Sequence, residues 1–278
     1  MRSIDHLVMP FETLAAARGW FERLGFLVAP DAVHPFGTGN ACIFFADGRY
    51  LEPLAVAEPA VYEQSRDDGH LFVERDAMAR HADAPPAISG LAFRSMDAWA
   101  DREQLLTAGF GEEGLVEFSR AMRLPDGGAT DLAFRLAFAA VFSAGAPSFF
   151  YVEARHRVTP DRSMLTRHPN GARGIVGVTL ATREPQVYRS YLAAVTGAEV
   201  RDGGGGTLSV SLENGRLDVI SGDVDTLAVA SATIAVADLA FAREFWQSRE
   251  IDCADEDDAV SIACPNGTGR IRFIEDRS

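Results

Sequence analysis

The stretch IDHLVMPFETLAAARGWFERLG, residues 4–25, runs a short apolar strand carrying one histidine straight into an amphipathic helix. Strand alternation is expected to place Ile4, His6 and Val8 on one face and Leu7 and Met9 on the other. The helix, read from about Glu12 to Leu24, carries Leu14, Ala17, Phe21 and Leu24 on one stripe and stops at Gly25, where a left-handed cap fits. Three later stretches repeat the plan: ISGLAFRSMDAWADREQLLTAG from Ile88, IVGVTLATREPQVYRSYLAAVTG from Ile175, and ASATIAVADLAFAREFWQSRE from Ala230. Each unit continues into strands that close near an acid, at Glu52, Glu153, Asp218 and Glu275. The chain therefore reads as four copies of a strand, helix, three-strand unit, the second of them longer. Leu14, Phe21, Leu105, Leu192, Leu239 and Phe245 fall on the inward stripe of the repeated helix and are expected to be buried.

Outward from the repeat, residues 57–86 lack strand alternation and end in Asp83, Ala84, Pro85, Pro86, which reads as a helical segment and a rigid linker outside the repeat. Pro125, Asp126, Gly127 and Gly128 signal a hairpin within the second unit. A polar, basic segment from Arg155 to Arg173 is the expected boundary between an N-terminal domain, residues 1–160, and a C-terminal domain, residues 172–278. Each unit alone would expose an apolar sheet face, so the first is expected to pair with the second and the third with the fourth.

The 26 basic residues stand against 40 acidic ones, a net charge of −14, which argues against a nucleic-acid or anionic membrane surface and for a small-molecule or protein partner. Cys42, Cys253 and Cys264 are odd in number and form no CxxC pair, which suits reduced thiols and a cytoplasmic location. Asp5, Pro10 and Glu12 interrupt any apolar run long enough for a signal peptide or membrane span. Gly109 to Gly114 fits the dinucleotide fingerprint by letter, but it follows a helix, precedes a strand and carries Glu112 and Glu113 where a pyrophosphate would lie. It reads as a helix cap and turn.

The paired strand, helix, three-strand units, with a histidine on the first strand and an acid on the last, resemble the vicinal oxygen chelate superfamily. That superfamily includes glyoxalase I, extradiol dioxygenases and bleomycin- and fosfomycin-resistance proteins. More narrowly, IDHLVM, the loop HPFGTGN from His34 to Asn40, YLEPLAV and HPNGARGI are similar to bacterial glyoxalase-like proteins. The resemblance implies an α+β fold of four βαβββ modules paired into two half-open barrels, with a divalent metal in a concavity. It also implies ligands from the first and last strands of two paired modules, which points to His6, Glu52, Gly90 and Glu153. Of these His6, Glu52 and Glu153 can bind a metal, and one imidazole with two carboxylates suits Zn, Mn, Fe, Co or Ni. Gly90 departs from the four-ligand pattern of glyoxalase I. The matching C-terminal positions, Gly177, Asp218, Ser231 and Glu275, lack a histidine, so that half is expected to be metal-free and the two-bowl dioxygenase reaction is disfavoured.

Glu52 is the expected catalytic carboxylate, and His34 is an acid/base candidate if its ring faces the bowl. In the same loop Thr38 and Asn40 offer hydrogen bonds to a ligand, with Gly37 and Gly39 permitting close approach. The plainer alternative is a turn before a strand. His168, Asn170 and Gly171 read as a structural turn. A helix from His70 to His81 would carry His70, Glu74 and His81 on a solvated face. Two functions follow: a metal-dependent lyase or isomerase of glyoxalase type acting on a small oxygenated metabolite, or a metal-free small-molecule binding or resistance protein. Either suits a monomer or homodimer.

Overall fold

The structure, a computed structural model, describes residues 1–123, 129–155 and 161–276. The hairpin signal at Pro125 to Gly128 lies outside the described residues. The first module comprises β1 (Ile4–Pro10), α1 (Leu14–Arg23), β2 (Ala32–Val33), β3 (Thr38–Asn40), β4 (Ile43–Phe44) and β5 (Tyr50–Val56). Two inserted helices follow, α2 (Pro59–Asp67) and α3 (Leu71–Arg80). The second module is β6 (Gly90–Ser95), α4 (Ala98–Thr107), β7 (Gly111–Arg123), β8 (Ala129–Ala139) and β9 (Ser148–Ala154). The third is β10 (Ala172–Thr182), α5 (Arg189–Thr196), β11 (Val200–Asp202), β12 (Leu208–Leu212) and β13 (Gly215–Ser221). The fourth is β14 (Ala228–Val236), α6 (Leu239–Gln247), β15 (Ala254–Glu256), β16 (Ala259–Ala263) and β17 (Arg270–Glu275).

Helix boundaries follow from local chemistry. Thr13, Asp97 and Asp238 accept backbone N–H groups at the starts of α1, α4 and α6. The helices of the first three modules are each followed by a glycine with positive φ, Gly25 at 87°, Gly109 at 76° and Gly197 at 58°. In the fourth module Glu250 takes that conformation at φ 52° without being a glycine.

Within each half the modules pair through their first strands, which run antiparallel, while each first strand pairs in parallel with the last strand of its own module. The resulting orders are β2-β3-β5-β1-β6-β9-β8-β7, with β4 also on β5, and β11-β12-β13-β10-β14-β17-β16-β15. Each sheet curls into a half-barrel, and the fold is α+β as the resemblance implied.

The faces carrying α1, α4, α5 and α6 meet in one apolar core drawn from both halves, with Phe21, Leu105, Leu192, Trp246 and Phe273 almost fully buried. Each such side chain contributes about 1.5–3 kcal/mol by leaving water. Leu14, Leu239 and Phe245, expected to be buried, are only half-buried, and Phe241 on α6 is exposed. Hydrogen bonds cross between the halves. Trp246 Nε1 donates to Leu24 O at 2.9 Å, Tyr151 OH to Val195 O at 2.9 Å, and the Asn214 side chain pairs both ways with the backbone of Ile4 at 2.8 Å.

The opposite, concave face of the N-terminal sheet has its own core. Val8, Leu54, Ala92, Val116, Leu136, Phe150 and Val152 pack there against Phe36 and against Tyr62, Phe72, Val73 and Ala77 of the insertion. Residues 57–86 are thus more than a linker. They form two helices that roof the N-terminal bowl. The insertion is pegged by Asp76, which accepts from Tyr62 OH at 2.8 Å and Arg80 Nε at 2.7 Å, and by Arg80, which donates to Phe11 O and Leu54 O. Among the described residues no helix is long and apolar enough to cross a membrane.

Candidate functional site

His6 shares the concave face with Val8 by regular alternation, but β1 is irregular just before it. The register with β6 shifts between Ile4 and His6, so Asp5 sits in a bulge. Ile4 therefore packs in the helix-side core, not beside His6 and Val8 as simple alternation required. The bulge also brings Asp5 beside its neighbour: Asp5 Oδ1 lies 2.8 Å from His6 Nδ1. Arg94 Nε donates to the other Asp5 oxygen at 3.2 Å. With Nδ1 held by Asp5, His6 Nε2 faces inward.

On β5 the residues Tyr50, Glu52 and Leu54 share the concave face. The Tyr50 ring stacks on His6 with centroids 4.4 Å apart, and Phe150 meets His6 edge-on at 5.6 Å. Glu52 Oε2 lies 3.4 Å from His6 Nε2. The Asn40 amide donates to Glu52 Oε1 at 2.6 Å and stands 3.3 Å from His34 Nε2, so its two hydrogens bridge the carboxylate and the imidazole. Thr38 Oγ1 takes the other His34 nitrogen at 2.8 Å. Burial lowers the His34 pKa to about 4, with Glu52 opposing and Arg120 and His6 adding to the shift. His34 is therefore neutral near pH 7 with both nitrogens engaged, which makes it a group that fixes Asn40 and Glu52. Burial likewise raises the Cys42 thiol and the Tyr50 phenol, so both stay protonated. The structure thus brings His6, His34, Thr38, Asn40 and Glu52 into one buried polar row.

Glu153 is not among them. Its Oε2 accepts the backbone N–H of Ala98 at 3.0 Å, and Arg135 lies 3.4 Å away, so the carboxylate faces the first turn of α4 on the opposite side of the sheet. Register explains the error. The antiparallel pairs His6 with Ala92 and Val8 with Gly90 define a local twofold that maps His6 onto Gly90 and Val8 onto Ala92. Glu52 pairs with Val8, and Phe150 pairs with Ala92, so the counterpart of Glu52 is Phe150, three residues before Glu153. The same construction in the C-terminal half gives Gly177, Asp218, Ser231 and Arg272. Glu275 is displaced from that set as Glu153 is from the first.

The four N-terminal positions are therefore His6, Glu52, Gly90 and Phe150, and only two can donate to a metal. Among the described residues no group of three His, Cys, Asp or Glu side chains could hold a metal ion. His34 does not fill the gap, since its Nε2 lies 3.9 Å from Glu52 and faces the Asn40 amide. The residues present do not fit the expected three-ligand centre. Next to the polar row is a cavity of about 20 Å³, bordered by Val8, Ser89, Gly90, Ser148, Phe150 and Asp76. That is room for about one water. Asp76 Oδ1 has no protein partner there.

The sequence model of the glyoxalase-like domain matches residues 4–196. The chain belongs to that family. Within the vicinal oxygen chelate superfamily, glyoxalase-like domains share this modular fold. Among curated proteins none matches the sequence. Three solved structures are similar in fold. A hypothetical protein from Staphylococcus aureus has a TM-score of 0.69 at 12% identity, covering 99% of this chain and 100% of that one. A triple mutant of 4-hydroxymandelate synthase from Streptomyces coelicolor has 0.61 at 13%, covering 100% and 93%. The Mn(II)-bound glyoxalase from Novosphingobium aromaticivorans has 0.59 at 11%, covering 98% and 83%.

Of the residues that gather here, Asp5, Cys42, Arg120 and Phe150 escaped sequence reasoning. Asp5 needed the bulge and Phe150 the register. Tyr50 was legible from its two-residue spacing to Glu52.

Proposed function

We propose that this glyoxalase-like chain binds a small oxygenated molecule in its N-terminal bowl through His6 and Glu52, without a metal held by the protein. The observation that carries the reading is the His6 and Glu52 couple, set between Tyr50 and Phe150, with Gly90 and Phe150 where further ligands would stand. A carboxylate and an imidazole side by side can take a hydroxyl and hold a carbonyl or enol oxygen, and the surrounding rings exclude water. The C-terminal half, with Asp218 neutralised by Arg216 and Arg272 by Glu256 and Asp258, serves as the partner against which the first half packs.

A second reading, a lyase or isomerase of glyoxalase type, is favoured by one specific contact. Asp5 orients His6 so that Nε2 is the free base, the arrangement that abstracts a proton next to a carbonyl. Elemental analysis of protein purified without chelators, with His6→Ala as control, tests the metal-free claim. The expected result is no stoichiometric Mn, Fe, Co, Ni or Zn in either protein. One ion per chain, lost in His6→Ala, overturns it. Solvent deuterium incorporation into small 2-hydroxy ketones separates the two readings, since a binding protein exchanges nothing and an enzyme exchanges only while His6 is present.

A further inference from the structure

Two arginines stand near the polar row with no carboxylate in ion-pair contact among the described residues. Arg120 lies on β7 two residues past Phe118 and so shares its concave face. Phe118 meets the His34 ring at 5.5 Å and the Phe36 ring at 5.2 Å. Arg162 enters from the segment after the second module and places its guanidinium carbon 3.8 Å from the centre of the Phe44 ring. Phe44 is 5.3 Å from Tyr50, the ring stacked on His6. The two guanidiniums thus approach the same few side chains, both acting on Cys42.

Many other arginines are paired, such as Arg75 with Glu112, Arg135 with Glu117 and Glu153, and Arg189 with Asp202, and Arg23 and Arg270 without a carboxylate still donate to backbone or hydroxyl oxygens. Arg120 and Arg162 have no carboxylate partner among the described residues, and Arg120 Nε is buried without any acceptor. Burial depresses the Arg162 pKa, and Arg120 adds to the effect, so the like charges are close enough to disfavour each other. Around the row, three guanidiniums (Arg94, Arg120 and Arg162) face two carboxylates (Asp5 and Glu52). With Arg94 paired to Asp5, Arg120 and Arg162 remain as guanidiniums without a contacting carboxylate in a chain of net charge −14. Half-buried, mutually repelling cations over apolar rings are costly unless an anion joins them.

We infer that Arg120 and Arg162 seat the anionic group of the bowl's ligand, a carboxylate or a phosphate attached to the oxygenated body that His6 and Glu52 hold. The inference rests on the proposed use of the bowl and adds the charge class of what enters it. Guanidinium forks hold either oxyanion bidentately, and the rings of Phe44, Tyr50 and Phe118 suit a flat, apolar scaffold.

The test is calorimetric titration of the full chain with phenylacetate, phenyl phosphate and neutral phenylacetamide. At least one anion is expected to bind about tenfold tighter than the amide, and the comparison of phenylacetate with phenyl phosphate tells which oxyanion is preferred. Arg120→Met and Arg162→Met should each remove about that factor for the anions and leave the amide unchanged, while Arg120→Lys keeps part of it. Equal binding of amide and anions by the unmodified chain, no measurable binding of either anion, or full anion affinity in both Met variants overturns the inference. The anion-to-amide ratio of the unmodified chain decides even if a variant fails to fold. The two proposals fail separately. Amide binding that is lost in His6→Ala, with no preference for anions, leaves the bowl and removes the arginine seat. Arginine-dependent anion binding that is indifferent to His6→Ala and Glu52→Gln does the reverse.

Discussion

His168 lies on the segment that joins the halves, and its replacement by Gln should flatten the acid side of the stability profile. Nδ1 accepts the N–H of Leu27 at 3.0 Å, Nε2 donates to Phe44 O at 3.1 Å, and the rings of Phe26 and Phe45 enclose it. Burial lowers its pKa from 6.5 to about 4, partly opposed by the bond to Phe44. The unfolded chain therefore binds a proton below about pH 6.5 that the folded chain refuses until about pH 4, so stability is lost as pH falls through that window and is insensitive to this group above it. Integrated from pH 7 to pH 5, such a shift amounts to about 2 kcal/mol. Gln can accept from Leu27 and donate to Phe44 without titrating. Urea unfolding at both pH values should show the unmodified chain losing about 2 kcal/mol more than His168→Gln on acidification. Equal losses in the two proteins would refute the assignment of a buried, neutral His168.

Three further outcomes follow from geometry already described. Glu153→Gln should lower stability by about 1 kcal/mol in thermal or urea unfolding, through the weakened start of α4, and leave ligand affinity unchanged. Glu250→Gly should raise stability by about 1 kcal/mol, because the residue holds φ 52° where the other three modules use glycine; an unchanged melting temperature would count against strain there. Phe150→Glu adds a third donor at the counterpart of Glu52, so Zn or Mn should raise the melting temperature of the variant and not of the unmodified chain.

The repeat, the pairing of modules and most of the helix stripes were legible because they rest on periodicity, which survives any small error in register. The site was legible only in its first module. His6, Glu52 and the His34 to Asn40 loop converge as read, since each is placed by a strand whose phase is visible in the sequence. Glu153 failed because the acid nearest the strand end was taken as the counterpart of Glu52, whereas pairing with β6 selects Phe150; an offset of three residues reverses the face. Asp5 failed for a related reason, because a bulge is a property of the pairing and leaves no periodic trace. The insertion was read correctly as helical and outside the repeat, but its place was not legible. Its alternation was absent because it is helical, and nothing local says that Phe72, Val73 and Ala77 belong inside a sheet's concavity.

That roof bears on time as well as on space. A ligand that reaches His6 and Glu52 must wait until α3 lifts Phe72 and Val73 from the bowl and Arg80 releases Phe11 O and Leu54 O. Opening is then a first-order event that precedes encounter, so in stopped-flow mixing the observed association rate should rise with ligand concentration and level off at the opening rate. Once the roof recloses, escape passes through the same step, and a ligand of modest equilibrium affinity can have a long residence time.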